Sequence, residues 1–208
     1  MEHLRPDLET ASGLYEMLKE TDTWYAAVSG DTLLDLQKEP IKGYLAAFDI
    51  GTTTVVGYLT DARTGRVLAV ESSMNPQAQY GADVIMRANY ALENGTENLS
   101  SCIRQTVQTI LDTLAEKSGI STGCIYQTLY CRQHLYASSV SGHLPGALVH
   151  APYNPAISQL LFLKASEYDL HIHPKGQLIL LPDVAGFVGA DTMAVCSVSA
   201  RISRRRYL

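Results

Sequence analysis

From Tyr44 onward the chain alternates apolar runs with short polar breaks, and the spacing of the breaks predicts the elements. Residues 44–50 and 54–60 read as strands around the polar turn 51–53, and Arg66 to Ser72 reads as a third strand after the turn 61–65. Asn75-Pro76-Gln77 then breaks the meander, and Asp83 caps a helix running to about Glu93. The strongest helical period follows. It is expected from a Ser100 cap to Lys117, with Ile103, Val107, Ile110, Leu111 and Leu114 on one face and Gly119 as its stop. Cys124 to Leu129 should be the next strand, parallel to the first. Before the meander, Asp7 to Glu20 has helical spacing, and residues 24–28 and 32–36 flank Ser29-Gly30-Asp31 as a hairpin. The order β-β-β-α-β predicts an α/β domain with a mixed sheet.

Candidate chemistry concentrates in the first turn of the meander. Asp49 ends one strand, Gly51 lets the backbone approach a ligand closely, and Thr52, Thr53 and Thr54 add three hydroxyls to the backbone N–H donors. Such a turn suits phosphate oxygens, and Asp49 at its mouth suits Mg²⁺ held through water. An ordinary hairpin whose threonines simply favour strands is the alternative.

Three blocks widen the context: FDIGTTTVVGYL at 48–59, NPQAQYGADVIMR at 75–87 and LPDVAGFVGADT at 181–192. Together they resemble the RACo-like reductive activators of corrinoid-dependent proteins, a branch of the acetate and sugar kinase/Hsp70/actin superfamily. The resemblance covers roughly residues 20–195. It implies a ribonuclease-H-like lobe of the actin/Hsp70 ATPase type over residues 44–195, with an incomplete second lobe, a leading linker segment at 1–43 and a non-homologous tail at 196–208. It implies ATP and Mg²⁺ as ligands, with Asp49 as the catalytic and metal-binding carboxylate and Gly51 and Thr52 to Thr54 as the first phosphate loop. A second Gly-rich turn, Gly186, Gly189 and Asp191, is a further cofactor-binding candidate, although a helix cap is the preferred reading of Asp191. Asn75, Gln77, Tyr80 and Gly81 correspond to a cleft loop, or to a plain turn. The implied partner is a corrinoid protein or methyltransferase system.

Composition restricts the remaining classes. The chain has 208 residues, 46% hydrophobic and 18% charged, enough to bury a core. A net charge of −5 gives no reason to expect a nucleic-acid partner. No apolar stretch reaches the roughly 18 residues that span a bilayer, and the first residues do not read as a signal peptide, so a cytoplasmic protein without membrane contact is expected. Cys102, Cys124, Cys131 and Cys196 have no C-x-x-C spacing. The [2Fe–2S] ferredoxin domain of the intact family is therefore not expected from this chain, and Cys102 and Cys124 read as small buried residues. His171 and His173, two apart on an expected strand, permit a two-ligand metal site, with exposed strand histidines as the plainer reading.

One stretch breaks the pattern. Residues 130–146 have neither periodicity nor turn grammar, where the family carries a block like V-V-G-N-T-x-M-H-H-L-x-L-G. A codon string that encodes these residues as they stand reads I-V-G-N-T-C-M-H-H-L-F-L-G-I-S-P one nucleotide later. A local reading-frame shift is expected here, and a second one near Cys196 would explain the Arg204 to Arg206 run and an early stop. On this reading the function is an ATP-dependent corrinoid activator present as an incomplete copy. The alternative is a non-catalytic remnant or partner-binding module. The meander and the long helix should form, with 130–146 irregular.

Overall fold

The computed structural model describes residues 23–132 and 159–181, with short pieces at 5–6, 11 and 200–206. A six-stranded mixed sheet organises them. Strands β4 (Tyr44–Ile50), β5 (Thr54–Asp61) and β6 (Val67–Met74) form the antiparallel meander. β7 (Ile125–Arg132) lies parallel to β4 on its other side, as expected. β9 (Gln177–Leu180) continues parallel to β7, and β8 (Leu161–Lys164) closes the edge antiparallel to β9. The spatial order is β6-β5-β4-β7-β9-β8.

Two helices connect β6 to β7: α1 (Val84–Asn94), capped by the Asp83 carboxylate, and α2 (Glu97–Ser118). The predicted face of α2 is the core face. Ile103, Val107, Ile110, Leu111 and Leu114 are buried against Ala46, Phe48, Ile50, Val55 and Leu59 of the meander. Each such side chain contributes about 1.5–3 kcal/mol on burial. Gly57 makes the close contact possible, because a Cβ there would lie 2.6 Å from Ile110 Cγ2 and 2.9 Å from Phe48 Cε1. Gly119 ends α2 in the left-handed conformation, φ 64°, as predicted.

The start of α2 differs from the sequence reading. Thr96 occupies the N-cap position, and Ser100 lies inside the helix, its hydroxyl donating to Thr96 O at 2.8 Å. A serine that bonds back to the carbonyl four residues earlier sits comfortably within a helix. Asn98-Leu99 is thus first-turn helix rather than loop.

A second, smaller sheet has the order β1-β3-β2-β10, built on the predicted hairpin of β2 (Thr23–Ser29) and β3 (Thr32–Gln37). β1 (Arg5–Pro6) and β10 (Ala200–Arg206) flank it. The Arg204 to Arg206 run therefore lies on a strand paired with Thr23 to Tyr25, not in a free tail. β2 is covered on both faces, so the neighbours Ala26 and Ala27 are both buried, on opposite hydrophobic clusters, and a register shift against β3 follows between Ala27 and Val28. Ala27, Leu34 and Ile41 pack on Tyr126 of β7, joining the two sheets.

Polar groups finish that junction. The Tyr126 hydroxyl donates to Asp35 Oδ2 at 2.8 Å, and the His173 ring stacks on Tyr126 with centroids 4.1 Å apart. His173 Nε2 lies 3.6 Å from the same carboxylate oxygen, and burial holds its pKa below the usual imidazole value. The Tyr126 phenol is pushed up, chiefly by burial and then by the Asp35 bond.

Most of the anomalous stretch, 133–146, lies outside the described residues, as does the predicted helix at 7–20 apart from Ala11. Only residues 130–132 are described, and they complete β7.

Candidate functional site

The turn between β4 and β5 is held from behind. Gly51 N donates to Thr54 O at 2.9 Å, which closes the turn on itself. A Cβ on Gly51 would sit 3.0 Å from that same oxygen, so glycine is the residue that fits. The three carbonyls of the turn then bond to groups from distant segments. Gly51 O accepts from Asn75 Nδ2 at 2.7 Å, Thr52 O from Arg87 Nη2 at 2.8 Å, and Thr53 O from Asn75 N at 2.8 Å.

That pattern sets the direction of the amides. In a planar trans peptide the N–H lies opposite the carbonyl of the preceding residue. With the carbonyls of Gly51, Thr52 and Thr53 turned toward Asn75 and Arg87, the N–H groups of Thr52, Thr53 and Thr54 point the other way. Thr53 and Thr54 are exposed, and Gly51 and Thr52 are partly so. Consecutive amides presented in this manner form a concavity suited to an anion.

Asp49 stands beside the turn on the exposed end of β4, on the sheet face opposite α2, across from Val56 and Cys131 on the neighbouring strands. The loop after β6 provides the ties. Asn75 caps a 3₁₀ turn (Pro76–Tyr80), its Oδ1 accepting from Gln77 N at 2.9 Å while its Nδ2 reaches Gly51. Buried Gln77 donates to Leu99 O at 2.9 Å, anchoring the loop to α2. Gly81 packs so tightly on the first turn of α1 that a Cβ would lie 2.8 Å from Arg87 N. Arg87 Nε donates to Gly81 O at 2.8 Å, and its side chain is only 1% exposed. The Tyr80 ring packs at a tilt against Tyr90, centroids 4.8 Å apart, on the flank of the same loop.

The structure thus brings Asp49, Gly51, Thr52, Thr53 and Thr54 together with Asn75 and Gln77, and adds Arg87, to which the sequence reading gave no role. Its signal was an arginine placed on one helical face with Val84 and Ala91, where an apolar residue would be routine. Gly186, Gly189 and Asp191 lie outside the described residues.

The histidine pair does not form a site. Residues 171–173 lie in the irregular segment before β9, not on a strand. His171 is exposed and its backbone N–H donates to Gln108, whereas His173 is drawn to Asp35 and Tyr126. Among the described residues, no group of three or more His, Cys, Asp or Glu is placed to hold a metal. Cys102 lies on α2, Cys124 on the 3₁₀ turn before β7 and Cys131 within β7, so the described cysteines do not fit an iron–sulfur cluster. Burial raises the Cys102 pKa, which keeps it a thiol. No helix among the described residues is long and apolar enough to cross a membrane.

The RACo middle region family matches residues 44–201, and the chain belongs to it. A curated relative, the corrinoid activation enzyme RamQ of Eubacterium limosum, is 39% identical over 179 residues, covering 82% of this chain and 30% of that protein. A solved structure described as a reductive activator for a corrinoid, iron–sulfur protein superposes with a TM-score of 0.84 at 26% identity. It spans 92% of this chain, which in turn spans 32% of that one. The chain therefore corresponds to about a third of the length of either relative.

Proposed function

We propose that this chain supplies the phosphate-gripping part of an ATP-dependent activator that returns a corrinoid protein to its reduced state. The observation that carries the reading is the inward turn of three successive carbonyls at Gly51, Thr52 and Thr53, which leaves the following amides directed outward. The mixed sheet with its β-β-β-α-β order supports a ribonuclease-H-like lobe of the actin/Hsp70 type. The relatives' names point to a corrinoid protein as the partner.

In this reading Thr52 to Thr54 bind the terminal phosphates through backbone N–H and hydroxyl groups, and Asp49 holds Mg²⁺ through its water shell. The ion, when bound, offsets phosphate charge. The rest of the nucleotide clamp belongs to the parts of the longer relatives that this chain does not span, and the electron carrier is not assembled from the described cysteines. Nucleotide binding would favour one conformation of the activator, and the free energy available for partner reduction is limited to the difference in affinity between conformations. We place the protein in the cytoplasm on the same reading.

Differential scanning fluorimetry of the purified chain with Mg–ATP, Mg–ADP and pyrophosphate tests this. Saturation at a hundred times Kd stabilises by about 2.7 kcal/mol, so the melting temperature should rise. Asp49→Ala should remove the part of the rise that depends on Mg²⁺. A chain that folds cooperatively but shows no shift with any phosphate ligand is a non-catalytic module, and the proposal would then be wrong.

A further inference from the structure

We infer that Asn75 and Arg87 are positioning residues for the phosphate turn, acting on its peptide planes rather than on the ligand. The inference deepens the nucleotide reading and rests on it for the identity of the anion. Three observations carry it. The two side chains and the Asn75 amide engage all three carbonyls between Gly51 and Thr53, at 2.7–2.8 Å. Each of the two is fixed by a second bond elsewhere: Asn75 Oδ1 takes the Gln77 amide, and Arg87 Nε gives to Gly81 O. Both are buried, Asn75 at 1% and Arg87 at 1% exposure, so they lie behind the turn while Thr53 and Thr54 face solvent.

The division of labour follows from the peptide geometry. A carbonyl pinned on one side fixes the N–H of the next residue on the other. A free Gly-Thr-Thr-Thr turn interconverts among peptide orientations, and each flip would aim a carbonyl oxygen at the anion. Pinning three planes in advance removes that conformational cost from binding. Arginine suits the task because its rigid fork reaches Thr52 O and Gly81 O simultaneously, from Nη2 and Nε. A lysine at the same place keeps the charge but provides a single nitrogen.

The test separates position from charge and from stability. ¹⁵N-labelled full chain is prepared as wild type, Arg87→Lys, Asn75→Asp and Asn75→Ser. Asn75→Asp retains an acceptor for Gln77 N and loses the donor to Gly51 O, and Asn75→Ser keeps a capping hydroxyl for Gln77 N but has no second atom to reach Gly51 O, without adding charge. In the ligand-free state, the amide resonances of Thr52, Thr53 and Thr54 should move in all three variants, while those of Arg63 and Thr64 in the next turn stay put. Pyrophosphate with Mg²⁺ should then bind at least tenfold more weakly to Arg87→Lys and Asn75→Ser than to wild type, with melting temperatures kept within a few degrees.

Unmoved amides at 52–54 overturn the positioning role whatever the ligand does. Full pyrophosphate affinity in Arg87→Lys also overturns it, by showing that charge alone suffices. If the amides move as expected but wild type binds neither pyrophosphate nor nucleotide, the positioning role stands and the nucleotide reading falls.

Discussion

The two turns of the meander connect the same central strand, β5, yet they are built on opposite principles. The β5–β6 turn is held mostly by its own residues. Asp61 Oδ1 accepts from Arg63 N at 3.0 Å, from Thr64 N at 2.7 Å and from the Thr64 hydroxyl at 2.9 Å, and Gly65 N returns to Asp61 O. One bond leaves the turn, from Ala62 N to Gly43 O at 3.0 Å, and the ties of Asp61 span five residues or fewer. In the β4–β5 turn the Gly51–Thr54 bond is local, and three carbonyls bond to Asn75 and Arg87, more than twenty residues away. A locally closed turn spends its donors and acceptors on itself. A turn held from outside has its carbonyls occupied by the scaffold and its amide edge turned away from it.

The sharpest way to break this contrast is Arg87→Ala. It strands the carbonyls of Thr52 and Gly81 and empties a buried space, at a cost on the order of 3 kcal/mol in urea unfolding. The phosphate-induced rise in melting temperature should vanish with it. A variant with unchanged stability would show that the guanidinium bonds contribute nothing net to the fold.

Asn75→Ala comes next. It loses the tie to Gly51 O and the cap on Gln77 N together, for roughly 1–2 kcal/mol. The paired measurement is the phosphate affinity, which should fall further than the same loss of stability elsewhere would produce.

Asp61→Ala should cost about 1 kcal/mol and leave phosphate binding unchanged, because nothing from that turn reaches residues 51–54. Reduced affinity in this variant would mean that the two turns are coupled through β5, and the contrast would lose its force.

The smallest effect is a pH dependence. The backbone bond from Thr64, the largest cause, holds the Asp61 carboxyl below its ordinary value of 3.8. A depressed carboxylate pKa contributes stability that is present above the unfolded value and is lost as pH falls through the folded one. Asp61→Asn should therefore flatten the acid limb of the stability curve below about pH 4 without altering the curve near neutrality. An acid limb identical to wild type would show that Asp61 contributes no measurable linkage.

How much of this was legible follows the same division. The Asp61 turn, the Asp83 cap, the Gly119 stop and the core face of α2 all depend on residues within a few positions of one another, and the sequence reading found each. One error is local: Ser100 looked like a cap because serine before an apolar period usually is one, but α2 starts four residues earlier. The others sit where a distant partner intervenes. His171 and His173 looked like neighbours on a strand, yet the His171 backbone N–H bonds Gln108 while the His173 ring lies against Asp35, both from other parts of the chain. Arg87 was part of a recognised block, but its role depends on Thr52 and Gly81 lying within reach of one guanidinium.

The β2–β3 hairpin, the order of strands and helices from β4 to β7, the apolar stripe of α2 and the Gly-Thr-Thr-Thr turn as a place of interest were settled by the sequence by itself, because periodicity and turn chemistry act over short distances. Which way the peptides of that turn face was decided only by the tertiary structure. A glycine–threonine turn has several peptide orientations of similar energy, and buried hydrogen bonds from Asn75 and Arg87 select one of them.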